Sequence, residues 1–108
     1  MATTHKLMSS GQLAAGTPDN IYDPSSVTGL VKTIVLHNMN TSTEPEVAKI
    51  FFNGTADSTR MLNVSLDAGE TFEWSLSHMV VVAESEVLKG QATNPSKVNY
   101  FIFGAEES

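Results

Sequence analysis

Cysteine is absent from this chain of 108 residues, which excludes disulfide staples, thiol nucleophiles and thiolate metal sites together. Its absence also suits synthesis in a reducing cytoplasm. Basic residues are scarce: six Lys or Arg stand against twelve Asp or Glu, a formal charge of −6. Those six (Lys6, Lys32, Lys49, Arg60, Lys89 and Lys97) are scattered singly along the chain, whereas a duplex-DNA binder needs a concentrated basic face. No nucleic-acid partner is expected. No apolar run approaches the roughly 20 residues of a transmembrane helix. The opening MATTHKLMSSGQLAAG has no apolar h-region, so neither a membrane association nor a secretory signal is expected.

The usual spacings of catalysis are missing too. His5, His37 and His78 form no H-x-H or H-x-x-x-H pair, although metal ligands normally show local spacing of that kind. There is no G-x-S-x-G elbow to expose a nucleophilic serine. The seven glycines sit singly, so no Gly-rich loop is available to cradle a phosphate. Glu70 with Glu73, or Glu84 with Glu86, read as solvated acidic edges rather than paired acid and base. The expectation is a protein that is not an enzyme, with no catalytic residue, no cofactor and no metal.

What is present is strand grammar. From Thr28 to Met39, Leu30, Val31, Ile34, Val35 and Leu36 supply the branched and bulky residues that strands favour. A polar loop leads to a second strand over Val47–Phe52, after which Asn53-Gly54 signals a hairpin. Arg60–Leu66 alternates, with Leu62, Val64 and Leu66 on one face. Thr71–Leu76 alternates again and gives Phe72, Trp74 and Leu76 to the core. Further strands are expected over Met79–Val82, Glu86–Ala92 and Lys97–Gly104, and Thr4–Leu13 can form an edge strand. Short strands at this spacing predict an all-β fold, an antiparallel β-sandwich or jelly roll of about eight strands. Residues 1–16 are read as an extended N-terminal arm or edge strand, and 17–108 as the sandwich domain.

Three of these strands carry more apolar residues than one core face needs. They are Ile34-Val35-Leu36, Met79-Val80-Val81-Val82 and Tyr100-Phe101-Ile102-Phe103. In the last, Val98, Tyr100 and Ile102 face one way while Phe101 and Phe103 face the other. A surplus of this kind predicts an interface. The contact is expected from Met1–Gly16 together with the second face of the final strand. Its candidate residues are Leu7, Met8, Leu13, Tyr100, Phe101 and Phe103.

The order of motifs adds a resemblance. Ile34 with Asn38 matches I-x-x-x-N, and Phe51 with Gly54 and Thr55 matches F/Y-x-x-G-T. Arg60 with Leu62, then Leu66 with Gly69, Glu70 and Thr71, match R-x-L followed by L-x-x-G-E-T. An opening G-T-x-x-x-I-Y stands at Gly16, Thr17, Ile21 and Tyr22. This grammar resembles a small all-β module common in tailed-bacteriophage virions. The chain departs from it after Tyr22, where Asp23-Pro24-Ser25-Ser26 replaces a V-P-x-G turn, so no contact role is carried to that loop.

The resemblance implies a capsid decoration (cement) protein. Such a protein, made in the bacterial host cytoplasm and carried on the outer surface of the capsid, stabilises the assembled head by bridging capsid subunits. The partners it implies are the major capsid protein and further copies of the chain, a trimer first among homo-oligomers. The alternatives are a tail, baseplate or head-fibre component, or a receptor- or glycan-binding module that would display Trp74 or Tyr22.

Overall fold

A computed structural model describes residues 4–108. Nine strands follow one another: β1 (Thr4–Gln12), β2 (Ala14–Ala15), β3 (Asp19–Tyr22), β4 (Thr28–Asn38), β5 (Glu46–Phe52), β6 (Arg60–Leu66), β7 (Thr71–Val82), β8 (Leu88–Ala92) and β9 (Val98–Glu107). One sheet has the order β1-β9-β4-β7, antiparallel throughout. In the other, β8 pairs with β5, which pairs with β6, and the far edge of β8 takes β3 antiparallel and the short β2 parallel. The two sheets close on a shared core as a β-sandwich. Leu13, Ile34, Leu36, Ile50, Leu66, Leu88 and Ile102, drawn from both sheets and the link after β1, all lie at its centre.

Alternation explains most of the core. Val98, Tyr100 and Ile102 of β9 turn inward while Asn99, Phe101 and Phe103 turn outward. In β4 the phase breaks. Val31 and Ile34 are both buried, though three residues apart, which strict alternation forbids. Lys32 resolves the conflict by bulging out of the ladder, between the Val31–Gly104 and Thr33–Phe103 pairs. Met8 of β1 is likewise skipped, between the pairs made by Leu7 and Ser9. Across β4 on its other side, Ser75 pairs with Thr33 and Val80 with Val31, so Leu76–Met79 of β7 stand out opposite Lys32 alone. These irregularities lie on a line across the sheet and bend it. The chain crosses that line on β9 at Gly104, where an added Cβ would come within 2.0 Å of the Leu30 carbonyl oxygen. Only glycine allows the two backbones to approach so closely.

Two expectations about local structure change. Thr71–Leu76 and Met79–Val82 are halves of one strand, β7, because the protruding residues between them leave the pairing with β4 intact on both sides. Asn53-Gly54 does not close a two-residue hairpin. Asn53 does take a left-handed φ of 54°, but the link to β6 continues through a 3-10 turn over Asp57–Thr59. The N-terminal segment takes the edge-strand alternative as far as it is described. β1 pairs with β9 along its length, and Leu13 behind it is buried, its amide bonded to the Val98 carbonyl at 2.9 Å. Met1–Thr3, part of the segment expected to make contacts, lie outside the described residues.

Candidate docking surface

The bend in the β1-β9-β4-β7 sheet gathers exposed apolar side chains on its outer face. Leu7 (48% exposed), Met79 (47%), Val81 (53%) and Phe103 (39%) belong to it, and these are four of the six large hydrophobic residues exposed among those described. Register brings them together. Leu7 pairs with Phe103, and Phe103 with Thr33, in one row. In the next, His5 pairs with Ala105, Ala105 with Leu30 and Leu30 with Val81.

Two open hollows mark this face. One, of about 370 Å³, is lined by His5, Lys6, Leu7, Lys32, Thr33, Phe103 and Gly104. The other, of about 420 Å³, is lined by His5, Lys32, Ser77, His78, Met79 and Val81. His5 and Lys32 line both, so the two hollows adjoin as parts of one grooved face. The bulge ejects Lys32 from the ladder onto this surface, and its Nζ donates to the Leu76 carbonyl at 2.7 Å. That bond holds the start of the protruding β7 segment, and with it the placement of His78 and Met79.

A polar cluster ties Lys6, from the lining of the first hollow, to the interior of the sandwich. The Lys6 ammonium lies 2.6 Å from Glu106 Oε1, and the buried Tyr22 hydroxyl donates to Glu106 Oε2 at 2.7 Å. The Lys6 and Tyr22 hydrogen bonds hold the Glu106 carboxyl below the usual range, against a smaller opposing effect of burial. Burial, then the bond and charge of Glu106, push the Tyr22 phenol well up. Tyr22 lies across Gly29, whose Cβ would come within 2.4 Å of the ring. The cluster therefore fastens β1, β3 and β9 together.

The six residues expected at an interface divide. Leu7 and Phe103 are exposed neighbours in the groove. Met8 is half-buried and packs inward on the core, and Phe101 is half-buried on the outer face. Leu13 and Tyr100 are buried in the chain's own core and take no part in the surface. Sequence reasoning missed Met79 and Val81 as site residues, although it singled out their apolar run. It missed the convergence of His5, Lys32 and His78 altogether, since no local spacing announces it.

The other singled-out groups have structural employment. His37 Nδ1 lies 2.9 Å from Thr71 Oγ1. Glu84 and Glu86 are not in a strand; they accept from the Ser26 and Ala83 amides at 3.0 Å each. Glu70 accepts from the Asp67 amide within its turn. Trp74 is half-buried against the core, as its alternation with Phe72 and Leu76 predicts. Among the described residues no group of three or more His, Cys, Asp and Glu could hold a metal ion, and no helix is long and apolar enough to cross a membrane.

The most informative buried polar group is one the motif search passed over. Glu46 is fully buried and accepts from the Asn94 amide at 2.9 Å, Asn94 Nδ2 at 2.7 Å and Asn40 Nδ2 at 3.2 Å. Asn38, equally buried, donates through Nδ2 to the Leu66 carbonyl at 2.9 Å and accepts from the Asn40 amide at 3.0 Å. These two residues bind the loops at one end of the sandwich to each other. The phase of β5 was the available signal, because Glu46 shares a face with Ala48 and Ile50.

No protein-family model matches this chain, and no curated protein matches it.

Proposed function

We propose that this chain is a structural protein that works by docking, as a decoration protein on the outer surface of a bacteriophage capsid. The observation that carries the reading is the exposed apolar groove around Leu7, Phe103, Met79 and Val81. Exposed apolar area gathered in one place, rather than scattered singly, is characteristic of a surface covered by a partner. The motif grammar shared with phage virion modules supplies the kind of partner, a capsid subunit. Strand order is in keeping with this. Without the two-residue β2, the eight remaining strands are arranged 1-8-3-6 and 2-7-4-5, a jelly-roll order of the kind found in viral capsid and lectin domains. Binding that favours the assembled shell over its parts stabilises the shell by mass action.

The test is a count. In purified virions, quantitative mass spectrometry should find this chain at a simple fraction of the major capsid protein. A count near a small multiple of the tail symmetry would move it to the tail or fibre. Absence from the particle would overturn the reading.

A further inference from the structure

We infer that the groove takes an acidic, apolar-anchored peptide segment of a partner protein, with Lys32, His5 and His78 reading its carboxylates. This rests on the docking reading above and gives the chemistry of the occupant. Charge complementarity carries it. The chain has twice as many acidic as basic residues, yet no carboxylate of a described residue lines either hollow. Lys6, at the rim, is already paired with Glu106 and is not counted as a reader. Lys32 donates to a neutral carbonyl at 2.7 Å and, among the described residues, is in no ion pair.

The arrangement is built by the fold. A bulge places Lys32 between the two apolar halves of the groove, Leu7 with Phe103 on one side and Met79 with Val81 on the other. An occupant with apolar side chains flanking a carboxylate meets all three features together. A second copy docked isologously would bring two copies of Lys32 into one interface whose described lining offers no carboxylate to pair with either. The protein's net negative charge does not prevent an acidic segment from binding, because beyond about 8 Å it is screened at physiological salt while contact pairs are screened less.

The test uses the whole chain and a synthetic peptide of alternating leucine and glutamate, with its lysine counterpart as control. Amide shifts in heteronuclear NMR should move at His5, Lys32 and His78 for the acidic peptide and not for the basic one. Substitution K32E should weaken binding by about tenfold or more. H78E, which leaves the Lys32–Leu76 bond in place, should weaken it in the same direction even if K32E disturbs the protruding segment. Equal binding of both peptides, or no shifts in the groove, would overturn the inference. So would preferential binding of a ten-nucleotide oligothymidine, or sedimentation showing self-association that V81E abolishes. A chain absent from virions but selective for the acidic peptide would fail the capsid reading and keep this one.

Discussion

Two regions of this sandwich invert the usual rule of apolar inside and polar outside, and they do so for opposite ends. At the loop end, Glu46 and Asn38 are polar and fully buried, and their bonds to Asn94, Asn40 and Leu66 are complete within the chain. Around the bend, Leu7, Met79, Val81 and Phe103 are apolar and exposed. The first region compensates its buried polarity internally and so belongs to folding. The second leaves apolar surface that the chain itself does not cover, and on the docking proposal it belongs to binding. On that proposal, fold and function occupy separate residues.

The sharpest way to break that separation is Glu46→Ala. It takes the acceptor from the half-buried Asn94 and Asn40 donors and should cost about 2 to 3 kcal/mol, read as a lower urea midpoint at unchanged slope. A loss within the range of an ordinary surface change would mean that the buried cluster does not hold the loops. Gly104→Ala comes next, at about 2 kcal/mol, because its methyl meets the Leu30 carbonyl where the sheet bends. This variant joins the two regions, since it should lower the melting temperature and distort the groove together.

Tyr22→Phe removes the 2.7 Å bond to Glu106 and should cost about 1 kcal/mol in denaturant unfolding. The same cluster sets two pH limits. Glu106 has a lowered folded pKa, so its contribution is complete above the unfolded glutamate value of about 4.3 and is lost as pH falls through the lower folded value. Lys6→Met should weaken that acid-side dependence and leave the part due to the Tyr22 bond. The effect is small, because the Lys6 side chain is 49% exposed and water screens the pair. Tyr22 has a raised folded pKa, so its contribution is complete below the unfolded tyrosine value of about 10 and declines as pH rises above it. A stability curve that Y22F leaves unchanged at alkaline pH would contradict this.

The smallest expected stability effect belongs to the groove. Val81→Glu and Met79→Ser, at the two most exposed positions of the β7 side, should change unfolding free energy by no more than about 0.5 kcal/mol while reducing partner binding strongly. A large loss of stability from either would show that these side chains serve the chain's own packing, and the comparison would collapse.

Much of this was legible beforehand. Arg60–Leu66 alternates over the limits it adopts as β6, and the edge strand near the start ends one residue earlier than read, at Gln12. The inward set on β9 and the core face of Phe72, Trp74 and Leu76 follow from period two alone. Less legible were the points where the period breaks. Nothing local distinguishes Lys32 from any other polar residue in an alternating strand, and Met79 to Val82 reads as a separate strand until Val80 and Val31 are seen to pair.

Local chemistry therefore determined the class of this protein. Branched residues at period two, with Asn, Gly, Pro and Asp between the runs, commit each segment to strand or turn without reference to the rest of the chain. The tertiary structure alone decided which surplus apolar residues stay uncovered, and that Lys32, His5 and His78 meet among them. Those outcomes depend on register between strands far apart in sequence. A single bulge shifts which residues face outward on one strand relative to its neighbours, and no residue carries that information by itself.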